Sequence, residues 1–107
     1  MRKITEDSVR ALFLRENFSR SNTTVVVDSI GAVLYLHGNA IAYVDDNSKV
    51  YVSTAGWPTM TTRERLSGVL DRSILGVKVK QGEMYIIDGG SGESICKLGN
   101  NWTEVIV

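Results

Sequence analysis

The sequence predicts an α+β fold: a single domain over residues 1–107, mostly antiparallel β-sheet of five to seven short strands, with two short helices packed on one face. Three observations carry that expectation. Two segments, Val9-Leu12-Phe13 and Leu66-Val69-Leu70, repeat apolar residues at i, i+3, i+4, the period of a half-buried helix. Elsewhere the apolar period falls to two, and pairs containing glycine or asparagine separate the runs, as in hairpins. Finally, 107 residues with 43% apolar content can bury one core but not two, and are too apolar to stay disordered.

The first helix is expected from Thr5 to about Glu16. Thr5 would be the N-cap, with Glu6 and Asp7 in the first turn, where the helix dipole favours negative charge. Ile4 and Val9 stand at the spacing of a hydrophobic staple. Arg10 and Glu16 should face water, Asn17 stops the helix and Phe18 folds back onto the core. A β-branched strand from Thr24 to Asp28 and a turn at Ser29-Ile30-Gly31 follow. Val33–His37 and Ala40–Val44 then form a hairpin across Gly38-Asn39, both of which tolerate the positive φ of a tight primed turn. That register places His37 opposite Ala40 and Leu34 opposite Tyr43. It puts Leu34, Leu36, Ile41 and Tyr43 in the core, with Tyr35 and His37 facing the other way. After an Asp45–Ser48 turn, Lys49–Ser53 is a strand with Val50 and Val52 inward.

Ala55–Met60 reads as a loop, in which Pro58 biases Trp57 to an extended conformation. Thr61 and Glu64 have capping-box spacing, and the second helix should end near Asp71-Arg72. Strands follow at Gly76–Lys80 and Glu83–Ile87, with a turn at Gln81-Gly82. The flexible Asp88–Glu93 loop precedes two weaker strand candidates, Ser94–Leu98 and Trp102–Ile106.

Composition narrows function without naming it. Twelve Lys and Arg balance twelve Asp and Glu, which argues against a dedicated DNA-binding module and against a duplex mimic. Five basic groups against three acidic in residues 1–20, and one against three in residues 21–60, make a mild charge dipole. Cys96 is the single cysteine, so no internal disulfide and no cysteine-rich zinc site is expected. No apolar stretch approaches a membrane span, and no secretory leader pattern opens the chain, so the expected location is the cytosol without membrane attachment.

Single motifs have plain readings. The Asp88–Glu93 run lacks the lysine and the following helix that a phosphate loop needs. His37, the one histidine, has no sequence cue pairing it with a nucleophile, and alone it cannot build a zinc site. Cys96 reads as a small, buried, structural residue. Asp45, Asp46 and Asn47 fall short of a calcium loop. Neither metal nor cofactor is expected. Arg63 and Arg65 read as solvated helix residues, Arg65 pairing with nearby acids. They could also join Arg2, Lys3 and Arg20 in a basic patch. Trp57 taken alone is favoured as a roof over the core; the other reading of a tryptophan on an irregular segment between glycine and proline is an interface anchor.

The combination of "YLHGNAIA" (Tyr35–Ala42) with "AGWPTMTTRERLSGVL" (Ala55–Leu70) resembles a family of small proteins of tailed bacteriophages. The shared pattern falls on His37, Gly38, Asn39, Gly56, Trp57, Thr61, Thr62, Glu64, Arg65 and Leu66, about a third of the chain. Ser67-Gly68 stands where the pattern has Asn-Gly, and nothing from Asp88 onward has a counterpart. The resemblance implies a setting, the host cytoplasm, and no activity. It leads to the expectation of a non-enzymatic bacteriophage accessory protein that binds a macromolecule. A host protein is expected above all, as in host takeover or inhibition of a defence; a phage protein is the other protein partner. The expected contact surface joins the Gly38-Asn39 hairpin tip to the Trp57–Thr62 segment. Trp57 is its anchor, and His37, Asn39, Thr59, Thr62 and Arg63 are its polar members. Three alternatives stand beside it. A nucleic-acid-binding module would stack bases on Tyr35, Tyr43, Tyr51 and Trp57 of a bare sheet face. A small enzyme would centre on His37. A structural virion component would assemble through a strand edge such as Trp102–Val107.

Overall fold

Both apolar stripes fold as helices, and the period-two runs pair as antiparallel strands. The computed structural model describes residues 2–105. Their order is α1 (Lys3–Leu14), β1 (Phe18–Arg20), β2 (Thr23–Asp28), β3 (Gly31–Leu36), β4 (Asn39–Asp45), β5 (Val50–Val52), α2 (Met60–Asp71), β6 (Leu75–Lys80), β7 (Glu83–Asp88), β8 (Ser94–Leu98) and β9 (Thr103–Val105). The α+β class is as expected, but the described strands number nine and form two sheets. One is six-stranded, β1-β2-β3-β4-β5-β9; the other is β6-β7-β8. The chain leaves the first sheet after β5, builds α2 and the second sheet, then returns to pair β9 with β5. Of the predicted strand Trp102–Ile106, Ile106 lies outside the described residues, as does Val107 of the Trp102–Val107 edge.

Both sheets and both helices feed one core. Val9 and Leu12 from α1, Leu66, Val69 and Leu70 from α2, Val25, Leu34, Ile41, Val44 and Val52 from the first sheet, and Val77, Met84, Ile86 and Leu98 from the second are all buried in a single cluster. Phe18 packs against it as expected, but as the start of β1, a strand that periodicity over three residues cannot reveal.

The helix starts differ from the sequence reading. α1 begins two residues before Thr5, with Arg2 as an N-cap that makes no side-chain cap bond. Thr5 is buried, and its hydroxyl bonds to α2 instead. α1 ends at Leu14, where Arg15 takes a left-handed conformation, short of the predicted stop at Asn17. α2 is capped by Thr59 and not Thr61: the Thr59 hydroxyl accepts the Thr62 backbone N–H at 3.2 Å.

The central hairpin also differs. Its two-residue turn is His37-Gly38, both with positive φ (52° and 79°), so the register is shifted from the predicted one. Leu36 faces Asn39, Tyr35 faces Ala40 and Leu34 faces Ala42. Ile41 is the extra residue of a β-bulge, so Ile41 and Ala42 are both buried. The bulge resets the alternation along β4. Val44 turns inward, and Tyr43, predicted in the core, lies half-buried on the outward face beside Tyr51.

Candidate functional site

The β3–β4 turn and the segment before α2 meet at one end of the first sheet. Between them lies a cleft of about 260 Å³, lined by Leu36, His37, Asn39, Ile41, Thr54, Trp57, Thr59 and Thr62. Five of the six predicted contact residues, His37, Asn39, Trp57, Thr59 and Thr62, are therefore neighbours. The sixth, Arg63, points elsewhere, into a separate basin of about 430 Å³ shared with Arg2, Met60, Thr61, Glu64 and Ser67. Sequence reasoning missed Leu36, Ile41 and Thr54. The first two read from their alternation as core residues, and Thr54 carries no local signal.

The Trp57 segment is held by its own backbone. Ala55 and Gly56 both take positive φ, Trp57 N–H donates to the Thr54 carbonyl at 2.9 Å, and Thr59 N–H donates to the Trp57 carbonyl at 2.8 Å. Thr54 N–H reaches across to the Gly99 carbonyl between β8 and β9 at 2.8 Å. Trp57 itself is 61% exposed. It does not roof the core, contrary to the reading favoured for the residue taken alone, but stands at the rim of the cleft. Thr59 and Thr62 are committed to the helix cap, with their hydroxyls 3.0 Å apart, and Thr62 is buried.

His37 is oriented from the interior. Arg65, the largest fully buried side chain at 1% exposure, donates through Nε to the Thr23 hydroxyl (3.1 Å) and through Nη1 to the Thr5 hydroxyl (2.7 Å). It is not the solvated helix residue the sequence suggested. Thr5 in turn donates to Glu64 Oε1 at 2.8 Å, and the Arg2 N–H donates to the same oxygen. Burial pushes the Glu64 carboxyl up, but these two bonds and the Arg65 charge outweigh it and hold it below its ordinary value. Burial likewise lowers the Arg65 guanidinium from its ordinary value. On the other branch, Thr23 donates to Asn22 Oδ1 at 2.8 Å, which leaves Asn22 Nδ2 3.3 Å from His37 Nε2. An amide nitrogen can only donate, so in this contact His37 Nε2 is the acceptor. The His37 backbone N–H donates to the Asn22 carbonyl at 2.8 Å. The imidazole is thus positioned by an amide, and its described side-chain partner is neither a hydroxyl nor a carboxylate.

The proposed basic patch is divided: Arg65 is buried, while Lys3 and Arg20, joined by Arg10 from outside the proposed set, pair with Asp7 at 2.8 to 3.3 Å. The Arg20 bond is the main cause that holds the Asp7 carboxyl below its ordinary value. Among the described residues no group of three or more His, Cys, Asp or Glu could hold a metal ion. Asp45 Oδ1 instead accepts the N–H groups of Asn47 and Lys49 in its own turn. Asp88 does the same for Gly90 and Ser91, closing the glycine-rich loop. No helix among the described residues is long and apolar enough to cross a membrane. The outward face of the first sheet carries Tyr43 stacked on Tyr51 (5.7 Å, 26°), with Trp102 tilted against Tyr43 at 6.3 Å.

A family model described as Kyanoviridae Gp96 protein matches residues 1–104, a span that includes the C-terminal third where the motifs had no counterpart. No curated protein and no solved structure gives a match.

Proposed function

Because the chain belongs to the Kyanoviridae Gp96 protein family, a family of bacteriophage proteins, we propose that it is a non-enzymatic accessory protein that captures a protein of the infected host, in the host cytoplasm, in the manner of a takeover or anti-defence inhibitor. The observation that carries this reading is Trp57. The ring is 61% exposed, so most of its apolar surface is left open to a partner, and Met60 close by in the chain is exposed as well. Trp57 is held on a hydrogen-bonded segment beside a cleft floored by Leu36 and Ile41. An indole carried on a hydrogen-bonded backbone next to a small apolar pocket is the arrangement from which interface hot spots are made, since less backbone entropy is lost on docking. In this reading Trp57 packs on the partner, the cleft receives an apolar side chain of that partner, and His37 and Asn39 supply direction at the rim.

The test is affinity purification from infected-cell lysate, with and without nuclease, using the native protein and Trp57→Ala. A single protein partner that survives nuclease and is lost with Trp57→Ala is the expected result, with a drop in affinity of about 30-fold or more for the purified pair. Because Trp57 is outside the core, the thermal midpoint of the variant should stay close to that of the native protein. Recovery of nucleic acid alone, or undiminished capture by the variant, would overturn the reading.

A further inference from the structure

We propose that the outward face of the six-stranded sheet is a second binding surface, distinct from the Trp57 cleft, and that it takes an arginine-rich segment of a partner protein. Tyr43, Tyr51 and Trp102 bound a shallow basin of about 380 Å³ together with Asp45. The two tyrosine rings lie within 26° of parallel, and the Tyr43 hydroxyl is anchored by donating to the Ile30 carbonyl at 3.2 Å. Trp102 is 47% exposed beside them. The near-parallel tyrosine pair, a platform with the Trp102 ring tilted 54° to Tyr43 at its side, suits a planar guanidinium, which stacks on ring faces and is less tightly hydrated than an ammonium.

Charge selects the cation. The pairings Tyr43 with Tyr51 and Tyr51 with Glu104 place a carboxylate next to the platform, and Asp45 lies two residues along the same strand face. Partial burial raises the hydroxyl of Tyr43, and Asp45, Asp28 and Asp46 push it further the same way; Tyr51 is raised by burial, then by Glu104 and Asp45. The rings therefore sit in a negative field, which repels a phosphate backbone and attracts a cation. The described cation–ring contacts within the protein, Arg20 over Phe18 and Arg72 over Phe13, both lie off this platform. Two cations of the chain stand near these acids: Arg15 Nη2 donates to the Asp45 backbone carbonyl at 2.6 Å, and Lys49 follows in the same turn, where its backbone N–H, like that of Asn47, caps the Asp45 carboxylate; Glu104 is thus the carboxylate the test addresses.

The chain holds two tryptophans, so the two indole N–H resonances report the two surfaces separately once Trp57→Phe has assigned them. The probe is a capped ten-residue peptide of alternating arginine and glycine, titrated into the 15N-labelled protein. The Trp102 indole and the Tyr43 and Tyr51 amides should shift and saturate, while the Trp57 indole stays still. Glu104→Gln and Tyr51→Thr should each weaken binding about 2- to 5-fold, and raising the salt should weaken it further. Glu104 is exposed, so its replacement by glutamine tests the charge without touching the core. The proposal is overturned if no resonance of this face moves, if only the Trp57 indole moves, or if a glutamine–glycine peptide acts equally. It also fails if neither variant weakens binding, or if a single-stranded oligouridylate binds the same face more tightly.

Discussion

Arg65 joins three elements that are remote in sequence. Its guanidinium bonds hydroxyls on α1 and β2 from a position on α2, and the relay continues to Glu64 in one direction and to His37 in the other. A buried cation is tolerated here because every described buried side-chain N or O atom has a partner. The planar fork is what allows one side chain to reach two divergent hydroxyls. Arg65→Lys keeps the charge but loses the planar fork that reaches both hydroxyls, and should cost about 2 kcal/mol of stability, read as a lowered midpoint in urea unfolding. An unchanged midpoint would show that the fork contributes nothing. The sequence could not disclose this. An arginine flanked by glutamate and leucine on a short amphipathic segment looks solvated until Thr5 and Thr23 are brought beside it. The same tertiary contact removed Thr5 from the N-cap role that its local chemistry suggested.

At the scale of elements, the hairpin shows how far local chemistry reaches. "LHGNA" demands a two-residue turn with positive φ, and both His37-Gly38 and Gly38-Asn39 satisfy that demand locally. The choice between them moves the register, and the bulge at Ile41 then decides which face Tyr43 takes. Packing made that decision: with Ile41 as the bulge, Leu34, Leu36, Ile41, Ala42 and Val44 are all buried together. The β3–β4 pairing in turn depends on Gly31, where an added Cβ would lie 2.1 Å from the Val44 carbonyl oxygen. Gly31→Ala should therefore part these strands locally and destabilise the protein by about 3 kcal/mol, measured by chemical denaturation. The second helix was legible in its stripe, Leu66-Val69-Leu70, and in its end. Its start was not, because Thr59, Thr61 and Thr62 are all acceptable caps in isolation.

For the whole molecule, the polar tethers between elements make stability depend on pH. Asp7 ties α1 to Arg20 of β1, Glu64 ties α2 to α1, Glu83 ties β7 to Lys97 of β8, and Asp88 closes the loop after β7. The carboxyls of all four lie below their ordinary values of 3.8 for Asp and 4.5 for Glu, and Lys97 lies above its ordinary 10.5. A carboxyl lowered in the folded state adds stability that is complete above its ordinary value and is lost as pH falls through the folded one. A raised lysine adds stability that is lost as pH rises through its folded value. The urea midpoint should thus be flat from about pH 5 to 10 as far as these groups are concerned, falling below about pH 4 and again above about pH 10.5. High salt should shrink the part that comes from the exposed Glu83–Lys97 pair, since such pairs are screened. A midpoint that held steady down to pH 2 would show that these tethers do not stabilise the fold.

By itself the sequence determined the class, the two amphipathic stripes, most strand runs and the glycine turns, because periodicity and turn chemistry are local properties of neighbouring residues. It also marked His37, Asn39, Trp57, Thr59 and Thr62, which prove to border one cleft. Only the tertiary structure decided that Trp57 stands outside the core, that Arg65 lies inside it, that Arg63 belongs elsewhere, and that Tyr43, Tyr51 and Trp102 share an outward face among carboxylates. The physical reason is the same in each case. Burial and charge environment are set by which distant segments pack together, and a strand register or a bulge one residue long reverses them without altering a single local propensity.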